Sequence, residues 1–552
     1  MSPRSTAMLA ALALAAAGCT DPGSPPPRYP LQDVAEASGL TLTTTSGRTP
    51  STQLLEVKGG GIALLDWQGD GDLDVFVPNG ATLERPDEGP GARLFENTGG
   101  LRFRDATSSA GITLRRWGFG CAVGDVNADG REDLFVACYG QNALLVAGED
   151  GVFVDASEDA GFTDKAWSTA AAFGDLDGDT DLDLYVANYV VFDPTDPPPP
   201  MEFRGARVFG GPMGLEAAPD AVYENLGGGR FRDVTEAWGF AAVRPSYGLG
   251  VLILDLDADG RAEVFVGNDS QANFLFRRDD AGTFTDVGVA SGIALAEHGW
   301  GQATMGIAVG DPNGDGRADV FTSNFAADHD TLHLNRGDLL FEDVSRPWGL
   351  ALVSVPYLGW AAAFVDLDHD RREELLVFHG HVYPETVTGP MGWRHAQEPT
   401  LFENVGGRFE PVPPAQGGAW LAEEHCDRSA AFGDLDGDGD VDVVVGELGG
   451  PLRLLRNDAA AGGWLRVQLR DAREASGNPR GIGAHVVLED AAGTQHRWIA
   501  SGTSYQSASA LEAHFGLGEA PGAVRVRVRW PDGFEQTVED VAFDPGLTVE
   551  RR

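Results

Sequence analysis

The sequence is short of lysine, cysteine and long apolar runs, and each shortage excludes something. Of 40 basic residues only Lys58 and Lys165 are lysines, against 84 acidic residues and a net charge of -44. A chain this anionic is unsuited to gripping nucleic acid or anionic lipid through its protein surface, and it attracts cations. The 4 cysteines, Cys19, Cys121, Cys138 and Cys426, are too few for a disulfide framework in 552 residues. No segment reaches the roughly 18 consecutive apolar residues that a membrane-spanning helix needs. There is no H-E-x-x-H, G-x-S-x-G or P-loop motif to announce an enzyme. Glycine abounds instead, 74 residues without a G-X-Y period, which points to many tight turns.

At the N-terminus Arg4 precedes an apolar run, Ala7–Ala17, and the small residues Ala16, Ala17 and Gly18 stand directly before Cys19. This resembles the lipobox of bacterial lipoproteins. The resemblance implies a signal peptide over 1–18, lipid on Cys19 and residence in the bacterial cell envelope, facing the periplasm or on the outer-membrane surface. An ordinary secretory signal with an incidental cysteine is the alternative. Residues 19–30, rich in proline, read as a stiff tether. Cys121 and Cys138 flank one hairpin and are either bonded across it or free buried thiols.

Self-similarity dominates the rest. A nine-residue acidic loop recurs seven times between short β-type runs, starting at Asp66, Asp125, Asp175, Asp255, Asp311, Asp366 and Asp434. These loops hold 30 of the 84 acidic residues. Side-chain oxygens at positions 1, 3, 5 and 9 alternate along a turn and converge on one hard cation; position 7 adds a backbone carbonyl, and glycine at position 6 relieves the turn. The side-chain ligands are Asp66, Gln68, Asp70 and Asp74 in the first loop, and Asp125, Asn127, Asp129 and Asp133 in the second. Asp175, Asp177, Asp179 and Asp183 follow, then Asp255, Asp257, Asp259 and Glu263. The last three sets are Asp311, Asn313, Asp315 and Asp319; Asp366, Asp368, Asp370 and Glu374; and Asp434, Asp436, Asp438 and Asp442. The carbonyls belong to Asp72, Arg131, Asp181, Arg261, Arg317, Arg372 and Asp440. The pattern predicts up to seven Ca²⁺, with the Asp366–Glu374 loop weakest because Arg371 and Arg372 stand in it.

A second half-motif of the type LFENTGGLRFRDATSSAGI follows most hairpins, giving about four strands per unit, the size of a propeller blade. The seventh hairpin lacks its F-x-D-V tail, and the missing piece stands at the other end, Leu31–Leu40. Splitting one unit between the chain ends closes a ring. The fold expected is all-β: a seven-bladed β-propeller over 31–458 closed by its N-terminal strand, followed by a small β domain over 459–552. That last segment carries 10 basic and 12 acidic residues, so almost all the negative charge lies in the ring. Its Arg525, Arg527 and Arg529 alternate along a strand and read as a solvated face, with contact to an anion as the alternative.

The hairpins resemble FG-GAP or VCBS repeats, the calcium-binding blades of integrin α-subunit propellers. Phe209–Leu215 with Ala218–Asn225, and Gly380–Glu385, resemble the long insertions of bacterial CRTAC-type proteins, similar to cartilage acidic protein. Asn478–Val486, Gly502–Ser507, His514–Gly518 and Trp530–Gly533 resemble the ASPIC/UnbV domain, which brings no established catalytic residues.

The function expected is a lipid-anchored, calcium-binding module for a protein or polysaccharide ligand, with no nucleic acid and membrane contact through Cys19 alone. Phe203, Phe209, Tyr383 and Trp393 on the two longest insertions are the candidate partner contacts. The alternatives are an envelope enzyme with its site in the propeller funnel, or a structural partner of a secreted enzyme. His379 with His381, and Asp328 and His329 with His333, are secondary candidates for metal or catalysis, with packing as the plainer reading.

Overall fold

A computed structural model describes residues 27–459, 462–473, 476–518, 522, 524–541 and 546–552. Cys19 and the signal-like segment lie outside them. Among the described residues no helix is long and apolar enough to cross a membrane.

Seven four-stranded antiparallel units make a ring. In the first unit Ala63–Leu65, Asp74–Val77, Arg93–Asn97 and Phe103–Asp105 pair in sequence order. The same order repeats from Gly118–Gly124, Lys165–Gly174, Gly248–Leu254, Ile307–Gly310, Gly359–Val365 and Asp427–Gly433, the innermost strands of blades 2 to 7. Blade 7 takes its outer strand from the start of the chain: Gln32 pairs with Arg456 and Asp33 with Leu455. The split unit expected from the sequence is therefore observed.

Both faces of the inner strands are buried between neighbouring blades, so these strands read as apolar runs with small residues. A repeated asparagine latches each of five blades to the one before it. Asn97 in blade 1 donates through Nδ2 to the Leu435 carbonyl in blade 7 at 2.7 Å, which closes the ring. Asn225 reaches Val126 at 2.9 Å, Asn335 reaches Leu256 at 2.7 Å, Asn404 reaches Pro312 at 2.9 Å and Asn457 reaches Leu367 at 2.9 Å.

The C-terminal part folds as two small sheets. Gly463–Asp471 lies between Ala513–Gly518 and Gly546–Arg551, and His485–Asp490 lies between Gly493–Trp498 and Val524–Arg529. This domain sits on the face of the ring that carries the acidic loops. Cys121 and Cys138 are free and buried. They miss each other in register, since Cys121 opposes Val136 and Cys138 opposes Gly118.

Candidate functional site

Each acidic loop leaves an innermost strand, turns and enters the second strand, so all seven open on one face. The backbone is the same throughout. Position 6 has φ between 80° and 96° whether it is Gly71, Gly130, Gly260, Gly316 or Gly439, or the non-glycines Thr180 and Arg371. The position-1 carboxylate accepts the position-6 amide in every loop, as Asp125 does from Gly130 at 2.7 Å and Asp434 from Gly439 at 3.1 Å. The position-9 carboxylate is buried beneath. Asp74 accepts the amides of Trp67 at 3.1 Å and Asn97 at 2.8 Å, and Asp133, Asp183 and Asp442 repeat the pair. Burial pushes Asp74, Asp133 and Asp319 up to about 8, and neighbouring loop acids add to it.

Four loops bring three carboxylates within 4.8 Å of one another: Asp175, Asp177 and Asp183; Asp255, Asp257 and Asp259; Asp366, Asp368 and Glu374; Asp434, Asp436 and Asp442. Buried oxygens without a protein partner remain on Asp181, Glu263, Asp366 and Glu374. All-oxygen donors at this spacing, some of them buried and unpartnered, fit a hard cation such as Ca²⁺. The position-9 residues have a double duty that spacing did not reveal, because they also tie the loop to the blade.

Arginines separate the loops into two kinds. At position 7, Arg131, Arg261, Arg317 and Arg372 each fold back onto the position-5 aspartate of their own loop. Asp72, Asp181 and Asp440 hold that place in the first, third and seventh loops. There burial and the neighbouring aspartates push Asp181 up to about 8 and Asp440 to about 7. The Asp366–Glu374 loop is the most compromised: Arg28 pairs with Asp368, Asp370 and Glu403. The Asp255 loop receives Arg277 on Asp257 at 3.1 Å and Arg529 on Asp255 at 3.2 Å. Arg529 is thus not part of a solvated face, whereas Arg525 and Arg527 pair with Glu489 on their own domain.

The described residues of the C-terminal domain touch the second to the seventh loops. Arg480 pairs with Glu132 at 3.0 Å, Arg497 with Glu373 at 3.3 Å, and Asp490 holds Arg371 bidentately at 2.5 and 3.0 Å. His514 meets the Gly439 carbonyl at 2.7 Å. Gly477 abuts Asp181 and His496 abuts Gly316. From this platform residues 501–510 enter the central channel. Ser501 donates to the Val123 carbonyl at 2.8 Å, and the Cys121 amide donates to Gln506 at 3.0 Å. Ser504 and Ile307 exchange both backbone hydrogen bonds, and Ala508 does so with Ile62 and Leu64. Tyr505 is fully buried, its ring 4.8 Å from that of Trp360. Residues 501–510 thus occupy the channel, and a cavity of about 150 Å³ lies beside them between the inner strands of blades 5 to 7 and the C-terminal domain, lined by Thr503, Ser509, Gly310 and Phe364.

The two long insertions follow second strands, at the end opposite the acidic loops. Their aromatics pack together: Phe203 lies 5.9 Å from Tyr383 and 6.3 Å from Trp393, and Phe209 lies 5.0 Å from Tyr383. Beside the first insertion a cavity of about 900 Å³ is lined by Tyr139, Phe192, Tyr223, Asp164 and Asn188. His379 donates through Nδ1 to the Glu398 carbonyl at 2.8 Å and stacks on Tyr357, while His381 stacks on Trp393. Burial holds them near 4 and 3, as neutral rings. His333 is likewise buried, and His329 pairs with Asp328 and Asp343.

With this geometry in view, comparison with known proteins places its parts. An FG-GAP-like repeat matches residues 66–136, 125–186, 255–322 and 311–377, and ASPIC and UnbV matches 474–552. The chain combines FG-GAP-like repeats with an ASPIC/UnbV domain. It is similar to cartilage acidic protein 1: 29% identical to the Mus musculus protein over 333 residues, 58% of this chain and 47% of the relative. The Homo sapiens protein gives 29% over the same length, 58% of this chain and 46% of the relative. The chain spans about half the length of these curated relatives. Among solved structures, an Agrocybe aegerita lectin that recognises non-reducing terminal N-acetylglucosamine aligns at TM-score 0.39 and 15% identity, over 73% of this chain and 95% of that one. BBS1N in complex with ARL6DN aligns at TM-score 0.42 and 10% identity, over 79% and 99%.

Proposed function

We propose that this FG-GAP propeller is an exported, lipid-anchored binding module that takes up Ca²⁺ in its acidic loops and captures a protein or glycan ligand. One observation carries the reading: the acidic face is covered by the C-terminal domain and the channel is filled by residues 501–510, so the insertion face is left for recognition. On that face the 900 Å³ cavity offers aromatic rings, amides and carboxylates together, a lining suited to a polar polymer or a peptide segment. Calcium, when bound, would neutralise the clustered carboxylates; the arginines of the C-terminal domain hold those acids that face it.

Deleting the tip of the insertion Val190–Ala221 tests the recognition step. Capture of envelope or matrix glycans and proteins should be lost while the calcium-dependent melting transition stays. Capture that survives the deletion overturns this placement. Cys19→Ala tests the anchor: the variant should leave the detergent-soluble membrane fraction or fail to be processed, and unchanged partitioning overturns lipidation.

A second reading, catalysis, is favoured by one feature. Cys426 Sγ stands 3.6 Å from His395 Nε2, and His395 Nδ1 lies 2.8 Å from the Tyr383 carbonyl, which orients the ring. Turnover of an ester panel that Cys426→Ser abolishes would establish it.

A further inference from the structure

We infer that His425, Asp427 and Glu447 form a binding site for one divalent transition-metal ion of the zinc class, separate from the seven acidic loops. Asp427 opens the innermost strand of blade 7 and lies directly opposite Glu447 on the second strand. His425, two residues earlier, projects to the same side, as the period of an extended chain requires. One donor atom from each side chain lies within 4.8 Å of the other two. His425 Nδ1 is 3.3 Å from Glu447 Oε1. In a tetrahedral zinc site with bonds of about 2.0 Å, neighbouring donor atoms stand about 3.3 Å apart.

The second observation is Asp427 itself. It is fully buried, and neither carboxylate oxygen has a hydrogen-bond partner. A buried carboxylate with both oxygens idle costs several kcal/mol unless a cation or a proton meets it. The strand sends the guanidinium of Arg428 to the opposite side, where it donates to the carbonyls of Val57 at 2.7 Å and Gly380 at 3.1 Å. The surroundings of the triad are those of a supported metal site. His425 Nε2 faces the Trp420 carbonyl at 3.3 Å and the imidazole stacks on the Trp420 ring at 4.3 Å, leaving the Nδ1 lone pair for the centre. Arg453 Nε donates at 2.7 Å to Glu447 Oε1, the same oxygen that faces His425, and Arg453 Nη1 donates to Asp33 at 3.0 Å, which fixes that carboxylate in place. One imidazole with two carboxylates is a mixed nitrogen and oxygen set. It selects zinc, manganese or cobalt over calcium, which takes oxygen alone. The rival is a proton on Asp427 itself, which would leave that buried carboxyl neutral.

The test uses the full chain saturated with Ca²⁺, so that the acidic loops are occupied, and titrates Co²⁺ followed by Zn²⁺. One Co²⁺ per chain should bind, give visible ligand-field absorption and be displaced by Zn²⁺. His425→Gln and Asp427→Asn should each weaken binding about tenfold or more. Cys426→Ser should leave it unchanged. Absence of Co²⁺ and Zn²⁺ uptake below millimolar concentration overturns the site in favour of the proton. Equal binding by the folded His425→Gln variant, or loss in Cys426→Ser, overturns it as well. The calcium-dependent melting transition reports folding of each variant, and His425→Gln decides where Asp427→Asn does not fold.

Discussion

The Asp434 and Asp366 loops have the same length and the same left-handed sixth residue, and in both the position-9 carboxylate accepts the position-2 amide, yet they differ in where positive charge comes from. In the first, five aspartates share nine positions, three of them converge, and the nearest guanidinium, Arg466, stands 3.7 Å from Asp434. In the second, Arg28 and Arg372 already pair with Asp368 and Asp370. The Asp255 loop belongs with the second kind and the Asp175 loop with the first. Identical spacing can therefore be satisfied by an ion from solution or by arginines from the chain, and a motif match alone does not tell which.

The comparison breaks most visibly on removal of calcium. A ligand that binds only the native state at about 100 to 1,000 times its Kd adds about 3–4 kcal/mol per site. Chelation should lower the melting temperature by many degrees; a curve indifferent to chelator removes the structural role of calcium from both kinds of loop. The loss should grow with pH. Burial raises Asp74, Asp133 and Asp319 to about 8 in the ion-free fold, against roughly 4 in the unfolded chain. The ion-free native state thus holds protons that the unfolded chain has released, and its stability falls as pH rises from about 4 to 8. Calorimetry at pH 5 and 8, with calcium and with chelator, should show the gap between the two curves widening.

Next in size, Asp436→Ala should cost more stability in calcium than Asp368→Ala, because only the former removes a ligand that has no arginine substitute; equal losses would erase the distinction. Arg28→Ala sharpens it from the other side. Freed of that guanidinium, the Asp366 loop should gain calcium affinity, read as one more tightly bound ion by equilibrium dialysis. The smallest effect is Thr180→Gly. A β-branched residue at φ 80° is strained, so the change should stabilise by about 1 kcal/mol in a denaturant titration.

Much of this architecture could be read before any coordinates. The acidic spacing, the β-type flanks and the tail displaced to Leu31–Leu40 are local, and the ring follows from them. The latch residues were visible in strings such as LFEN, but an asparagine does not declare that its partner lies one blade back. Docking of the C-terminal domain was illegible for the same reason. Arg529 looks like any strand arginine until the fold brings it to Ala258, 271 residues earlier. In sequence Gly502–Ser507 is a family string with nothing to mark it as the filling of a channel. Apart from Tyr505 its residues are glycine or polar, and they trade backbone hydrogen bonds with strand edges, which no hydrophobic pattern encodes. Loop length alone groups the aromatics Phe203, Phe209, Tyr383 and Trp393, and the structure packs them against one another.

The filling of the channel has a consequence for the order of assembly. The strand that completes blade 7 stands before every other blade in the chain, and the segment that occupies the hub stands after all of them. Until residues 501–510 are in place, the amides of Leu64, Cys121 and Ile307 face an empty core with nothing to donate to. An unpaired inner edge of this kind is costly and invites wrong pairing. Ring and C-terminal domain should then form one cooperative unit. A chain cut between them keeps all seven blades in sequence but loses the innermost layer of its hydrogen bonding.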